Sequence, residues 1–404
     1  MTDKKEIKEG PLSGIRVLEL GTMVAGPVCG TLLADFGAEV IKVEPPGTGD
    51  PIRKSGPAVD GECLYWQVEG RNKESITLNL RTPEGQQILR DLVPHVDVVI
   101  ENFKPGTMKK WGLDYECLAP LNSRLVMLSV SGFGQTGPYA ERPSYDRIAL
   151  AFAGFLNMSG YPDRPPIRPG TAVADYQSAL FGAFGVMIAL YFRDVKDGGG
   201  QHIDCSLYES IFRFTDIMAA AYDKLGVTRE RSGNKHFAAA PGDHYETIDG
   251  RYLCLTVAAT NVFRRLCGAL GREELADDPK FLEHADRAAH YDEINTIVAD
   301  WIKANPVDYV CAALEGHSIP HSLIFTIQDI FEDPHYEARQ TIDTVEHPRL
   351  GKLRMQSSQP RLSGSPAITL KPAPDLGQQT NKVMKDWLDF DDEKLEQLKR
   401  NNTI

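Results

Sequence analysis

Along the first 135 residues, short apolar runs and helical periodicity take turns, separated by glycine and proline. Residues 15–20 (IRVLEL) predict a strand, followed by a glycine-punctuated turn and a helix over 27–36. A second strand, 39–44 (EVIKVE), must end at Pro45-Pro46, because proline cannot donate to a ladder. Thr82 supplies a hydroxyl cap and Pro83 a first-turn proline for a helix running to about His95. Two further buried strands cover 96–101 and 124–130. Alternation at this spacing predicts an α/β fold with a parallel sheet wrapped by helices, a Rossmann-like layer.

From Asp175 to Phe192 the pattern is an apolar helix with Gly182 and Gly185 inside it. Those small residues predict close packing against another backbone, hence a central helix. A turn at 196–200 leads into an alternating strand at 201–206. Beyond residue 226 the character changes. Residues 244–260 read as a hairpin turning at Asp249-Gly250, and amphipathic helices follow from Asn261 to about Leu314. The tail from Arg339 carries the prolines of a surface-running linker and ends in a polar helix near 391–400. The expected division is a large domain over 1–225, a smaller α+β domain over 226–330, and a C-terminal segment over 331–404.

Composition narrows the function classes. The net charge of −12 argues against a general nucleic-acid binder, which needs concentrated Lys and Arg; a locally basic pocket for a small anion is still allowed. Seven scattered cysteines without a C-x-x-C pair fit reduced intracellular thiols. The polar start MTDKKEIKEG reads as neither signal nor transit peptide. The longest apolar stretch, 179–192, falls short of the ~20 residues that span a bilayer. A soluble cytoplasmic protein with no membrane partner is expected.

Dinucleotide chemistry is not indicated, because Gly21, Gly26 and Gly30 do not have G-x-G-x-x-G spacing. Four segments could carry other chemistry. Asp175 precedes an apolar helix, where it reads as an N-cap, or as a carboxylate kept ionised by the helix's positive end. Glu101–Gly106 (ENFKPG) lies at the carboxyl end of a strand, where open α/β sheets bind ligands, with Lys104, Lys109 and Lys110 near enough to meet phosphates. Residues 129–138 (SVSGFGQTGP) also follow a strand, and Ser131 and Gln135 could supply hydrogen bonds. Asn72, Lys73 and Arg81 flank 75–80 (SITLNL), which reads as an edge strand with surface charges or as a grip on a nucleotide.

Taken in order, these segments resemble the family III CoA-transferases, the group that also contains the α-methylacyl-CoA racemases. The matching stretches are PLSGIRVLEL…AGP at 11–27, LLADFGAEVIKVEPPGTGD at 32–50, NKESITLNL at 72–80, the two loops above, ADYQSAL at 174–180 and GGGQHIDCSLYE at 198–209. The resemblance implies a Rossmann-like large domain completed by the C-terminal segment, a small domain between, and two interlocked chains. A homodimer, or a heterodimer with a related subunit, follows. It implies Asp175 as nucleophile and CoA contacts at Ala25, Leu78, Arg81, Asn102, Phe103, Lys104 and Lys110. Pro45 stands where some members have a phosphate-binding arginine. Acyl-CoA and small carboxylic acids are the implied substrates. No permanently bound cofactor and no metal are expected, since covalent exchange on a carboxylate needs neither.

Tyr145 stands where the racemases carry a catalytic histidine, and a tyrosine of ordinary pKa is a poor base at pH 7. Transfer is therefore expected over α-proton exchange, with a CoA-binding subunit of a heteromeric transferase as the third reading. The glycine run of the oxalate-handling members corresponds here to 236–242 (HFAAAPG), which argues against oxalate and puts Ala239 near the acid. Tyr145, Gln135 and Ala239 are the expected substrate contacts. The match through ADY and HIDCSLYE points to carnitine-type or succinyl-type acids.

Overall fold

The computed structural model describes residues 10–236 and 238–404, so the polar amino terminus and Phe237 lie outside the described residues. The chain forms two compact units. One gathers the chain up to Phe155, Arg168–Leu225 and Arg339–Ile404; the other gathers Leu156–Ile167 and Gly226–Ala338.

The larger unit is built on six strands: β1 (Arg16–Glu19), β2 (Glu39–Glu44), β3 (Glu74–Thr77), β4 (Val98–Glu101), β5 (Val126–Ser131) and β6 (Gln201–Ser206). Every neighbouring pair is parallel, and the order across the sheet is β3-β2-β1-β4-β5-β6. β4 and β5 are buried along their whole length, as strands covered on both faces by helices must be. The order reverses between β1 and β4, so the loops leaving their carboxyl ends diverge and open a crevice. Four helices matter for that crevice: α1 (Ala25–Asp35), α2 (Pro83–Leu92), α3 (Asp146–Phe152) and α4 (Val173–Val195). Thr82 caps α2 through the Gly85 amide, 3.1 Å away.

Helix α4 is central, and Gly182 is why it can be. A Cβ there would fall 2.8 Å from Leu128 Cδ2 of β5 and 3.7 Å from Cys29 Sγ of α1. Gly185 likewise lies against Ile203 of β6. The close neighbours are side chains, not the backbone expected from the sequence. By length and composition this 23-residue helix could cross a membrane. Its opposite face carries Leu180, Phe184, Ile188, Tyr191 and Val195, all exposed. Their spacing keeps them on one stripe of the helix.

The smaller unit joins a three-stranded antiparallel sheet to helices. β7 (Gly242–Glu246) and β8 (Tyr252–Thr256) form the expected hairpin, with Gly250 at φ 76°, and β9 (His321–Leu323) adds to β8. Helices α5 (Thr260–Leu270), α6 (Tyr291–Lys303) and α7 (Val307–Gly316) bury Phe263, Leu266, Ile294, Val298, Val310 and Leu314 in one core.

The tail departs from the expected linker. It folds into a two-stranded ribbon, β10 (Ile342–His347) and β11 (Gly351–Gln356), then α8 (Thr380–Leu388) and the expected α9 (Asp392–Arg400). Thr380 Oγ1 accepts the Thr77 amide at 2.8 Å, and Gln379 donates its amide to Ser75 O at 2.8 Å. The tail thereby covers the exposed edge of β3, whose unpaired backbone groups would otherwise template another strand.

Candidate active site

A set of buried charges shapes the crevice from below. Lys42, in the middle of β2, is fully buried and ion-paired to Glu19 at 2.9 Å and Asp50 at 2.7 Å. Burial opposes its charge, but the two carboxylates outweigh burial and hold its pKa above the ordinary lysine range. The same ammonium donates to Gly21 O, and Asp50 accepts the Met23 amide at 3.1 Å. Glu19 also pairs with Lys73 at 2.7 Å. Lys73 is therefore a buried structural charge, which corrects the reading of it as a surface charge or nucleotide grip.

These contacts hold the β1–α1 loop from one side; Asn102 holds it from the other. Its Oδ1 accepts the Thr22 amide at 2.7 Å and its Nδ2 donates to Thr22 O at 2.9 Å. Met23, between them, is driven to φ 64°, a conformation costly for a side chain with a Cβ. Glu101 turns the opposite loop by accepting the Phe103 amide at 2.7 Å, and Phe103 packs edge-on against Trp111 at 5.2 Å. Burial pushes the Glu101 carboxyl up to about 7, against the lowering hydrogen bonds from Ser129 and the Phe103 amide.

The crevice is a cavity of about 350 Å³ lined by loops that leave β1, β4 and β5, with Asp175 in its wall. Of the residues expected from the sequence, it brings together Asp175, Ala25, Asn102, Phe103, Lys104 and Tyr145. Leu78 is buried in the main core and Arg81 is exposed beyond β3; neither lines the cavity, though both follow the carboxyl end of a strand in the same sheet. Lys110 is exposed on the short helix Thr107–Trp111. Gln135 is outside the lining, its amide donating to the Asp204 carboxylate at 2.9 Å. Ala239 belongs to the smaller unit, where it bridges to His236.

A larger cavity of about 610 Å³ lies against Gly37–Val40 and Asn72–Glu74, at the amino ends of β2 and β3. That is the wrong end of a parallel sheet for a ligand site, so volume is a poor guide here. Asp175 is at the carboxyl end.

The helix start differs from the sequence expectation. α4 begins at Val173 with Ala172 as its N-cap, so Asp175 is in the first turn and is not the N-cap. The apolar pair Val173-Ala174 carries the helix back past it. The Ala174 amide instead donates to Asp146 Oδ1 at 2.7 Å, so a carboxylate from α3 satisfies the start of α4. Asp175 is not held ionised by the helix. Burial first, and the Asp146 charge second, push its carboxyl up to about 7 from 3.8. Sequence reasoning missed Asp146's part, because it acts across 28 residues. The charged residues Glu19, Lys42 and Lys73 inside apolar strands were the available signal for the network: a buried charge must find a partner.

The model of CoA-transferase family III matches residues 12–380. The chain belongs to CoA-transferase family III. It is an enzyme of that class, a CoA-transferase. It is 43% identical over 395 residues, 98% of each chain, to a succinyl-CoA–D-citramalate CoA-transferase of Chloroflexus aurantiacus. It is 41% identical over 398 residues, again 98% of each, to the beta subunit of a succinyl-CoA–L-malate CoA-transferase of the same organism. Its fold matches the crystal structure of a CaiB/BaiF family protein from Brucella suis, with a TM-score of 0.83 and 35% identity over 94% of this chain and 100% of that one. The Rossmann-like layer expected from the sequence is consistent with this family III fold.

The raised pKa of Asp175 makes a stability prediction. Between its ordinary value of 3.8 and about 7 the folded chain keeps a proton that the unfolded chain releases, so this group lowers stability as pH rises through that window. Asp175→Asn removes the titration. The variant should exceed the wild type by about 1–3 kcal/mol at pH 8 and by almost nothing at pH 4. Urea denaturation at the two pH values measures it, and an equal difference at both would contradict the assignment.

Proposed function

We propose that the enzyme moves CoA between small dicarboxylic acids of the succinate type through a covalent intermediate on Asp175. The observation that carries this reading is the position of Asp175. It is a half-buried carboxylate in the wall of the switch-point crevice, beside the Asn102–Lys104 loop. Two relatives are named for succinyl-CoA with D-citramalate or L-malate, which favours succinate-type over carnitine-type acids.

The Asp175 carboxylate attacks the donor thioester carbonyl, forming a mixed anhydride and expelling the CoA thiolate. The thiolate attacks the aspartyl carbonyl, giving an aspartyl-CoA thioester and releasing the donor acid. The acceptor carboxylate then displaces CoA from that thioester, forming a second anhydride. The thiolate attacks the acceptor's carbonyl, leaving as the new acyl-CoA and restoring Asp175. The donor thioester, the aspartyl thioester and the product thioester are of similar energy, so the anhydrides are the only high-energy intermediates and one difficult exchange is split into easier ones. A carboxyl pushed up to about 7 is a stronger nucleophile when ionised than one of ordinary value, and it is still partly ionised at neutral pH. In this reading CoA lies along the carboxyl edge of the sheet. Its thiol end is at Asp175, its phosphates near Lys104 and Lys110, and its nucleotide towards Leu78 and Arg81. CoA is a substrate throughout and no cofactor takes part.

Tyr145 lines the cavity and is largely exposed where the racemases carry a histidine, which supports transfer over α-proton exchange. The exposed apolar stripe of α4 supports a second copy of this chain as its cover, in the interlocked pairing that the resemblance implies, in place of a membrane.

Incubation with succinyl-CoA and hydroxylamine should leave a hydroxamate on the peptide containing Asp175, read by mass spectrometry. Exchange of the α-protons into deuterated water without any adduct would sink the transfer reading. Sedimentation should give a dimer that Phe184→Glu dissociates; a wild-type monomer at micromolar concentration would remove the second copy.

A further inference from the structure

Two polar groups in the crevice have no hydrogen-bond or ion-pair partner among the described residues and no part in the chemistry above. Arg142 lines the cavity, and its guanidinium makes no ion pair among the described residues. It is nevertheless held, with Cζ 3.5 Å from the centre of the Tyr139 ring. Tyr139 is itself wedged edge-on against Phe133 at 6.2 Å and Phe152 at 5.9 Å. An arginine flattened on an anchored ring keeps its fork of donors pre-aimed at an incoming oxyanion. Ser131, the last residue of β5, lines the same cavity. It is 6% exposed, and its Oγ has no hydrogen-bond partner. A buried hydroxyl left unpaired in a native fold calls for an explanation, and a ligand supplies one.

We propose that Arg142 and Ser131 form the subsite for the second carboxylate of the acid, the one not engaged in the thioester. This rests on the reading of Asp175 as the covalent centre and adds the substrate class that the centre accepts. The position within the crevice favours the acid over the CoA phosphates. Arg142 is four residues before Asp146, whose carboxylate holds the amide of the residue preceding Asp175. It therefore belongs to the acyl end of the crevice, while the diphosphate of CoA is a whole pantetheine arm away from its thiol. Lys104 also lines the cavity, but its loop continues outward to Lys109 and Lys110, a run better suited to phosphates. A guanidinium takes a carboxylate with two parallel hydrogen bonds, and a site built that way rejects the analogue lacking the carboxylate.

The test compares succinyl-CoA with butyryl-CoA, which has the same four-carbon chain and no second carboxylate, as donors to one acceptor. For Arg142→Gln the ratio of kcat/KM, succinyl-CoA over butyryl-CoA, should fall about 10–100-fold from the wild-type ratio. Arg142→Lys should recover part of it, and Ser131→Ala should shift it in the same direction by less. Arg142 is exposed, and Ser131→Ala removes only an unpaired hydroxyl, so these variants are expected to fold. An unchanged ratio in Arg142→Gln, with both donors slowed in parallel, would overturn the subsite and reassign Arg142 to a part of CoA common to both. Failure of the wild type to transfer from any acyl-CoA is a different result: it would overturn the proposed function and the subsite together.

Discussion

Lys42 carries a positive charge into the middle of a parallel sheet, and the site depends on how that charge is satisfied. Glu19 and Asp50 pair with it, and the ammonium in turn grips Gly21 O while Asp50 grips the Met23 amide. Breaking a buried pair of this kind costs about 3–5 kcal/mol, because the carboxylates left behind are uncompensated. The network is thus a rigid constraint on the first loop of the crevice. Asn102 locks the same loop to the one leaving β4. With both loops fixed, the crevice exists before any substrate arrives. Preorganisation of this kind lets binding free energy go into the reaction and not into ordering the site.

Asp175 is tuned by the same economy of buried charge. Nothing cationic among its first neighbours offsets the loss of water, and Asp146 adds a second negative charge, so its carboxyl titrates near neutral pH. Asp146 is not free to move away, because it satisfies the amide end of α4. One carboxylate therefore positions the helix and raises the basicity of the other. The unpaired cations of the crevice, Lys104 and Arg142, are left for the substrate. A polyanionic CoA and a dicarboxylic acid together bring enough negative charge to use both.

Much of the sheet was legible in the sequence, and for a simple reason. Each of β1, β2, β4 and β5 gathers valine, leucine, isoleucine or methionine in a short run with glycine or proline in the nearby loops, even though Glu19 and Lys42 sit inside β1 and β2, and such runs have few other places to go. The ribbon β10–β11 was not legible, because only alternate positions such as Val345 and Met355 are buried and the prolines around it suggest a linker. The N-cap assignment of Asp175 failed by three residues, since an apolar Val173-Ala174 extends a helix as readily as it precedes one. Ala25, Asn102, Phe103, Lys104 and Tyr145 gather beside Asp175 because they follow strands that end on one edge of the sheet. The partners that tune the site escaped notice. Glu19 with Lys73, and Asp146 with Ala174, meet across long stretches of chain, and no local pattern marks a pairing made in three dimensions.

The proposed reaction depends on Asp175 as a covalent partner. Oxygen transfer tests this most directly. If the acceptor carboxylate displaces CoA from an aspartyl thioester, the bridging oxygen of the second anhydride stays with the aspartate when the new acyl-CoA leaves. Turnover with a succinate-type acceptor labelled with ¹⁸O should therefore place heavy oxygen on the peptide containing Asp175, read by mass spectrometry. Label that appears in the acyl-CoA product but never on that peptide would contradict the central claim.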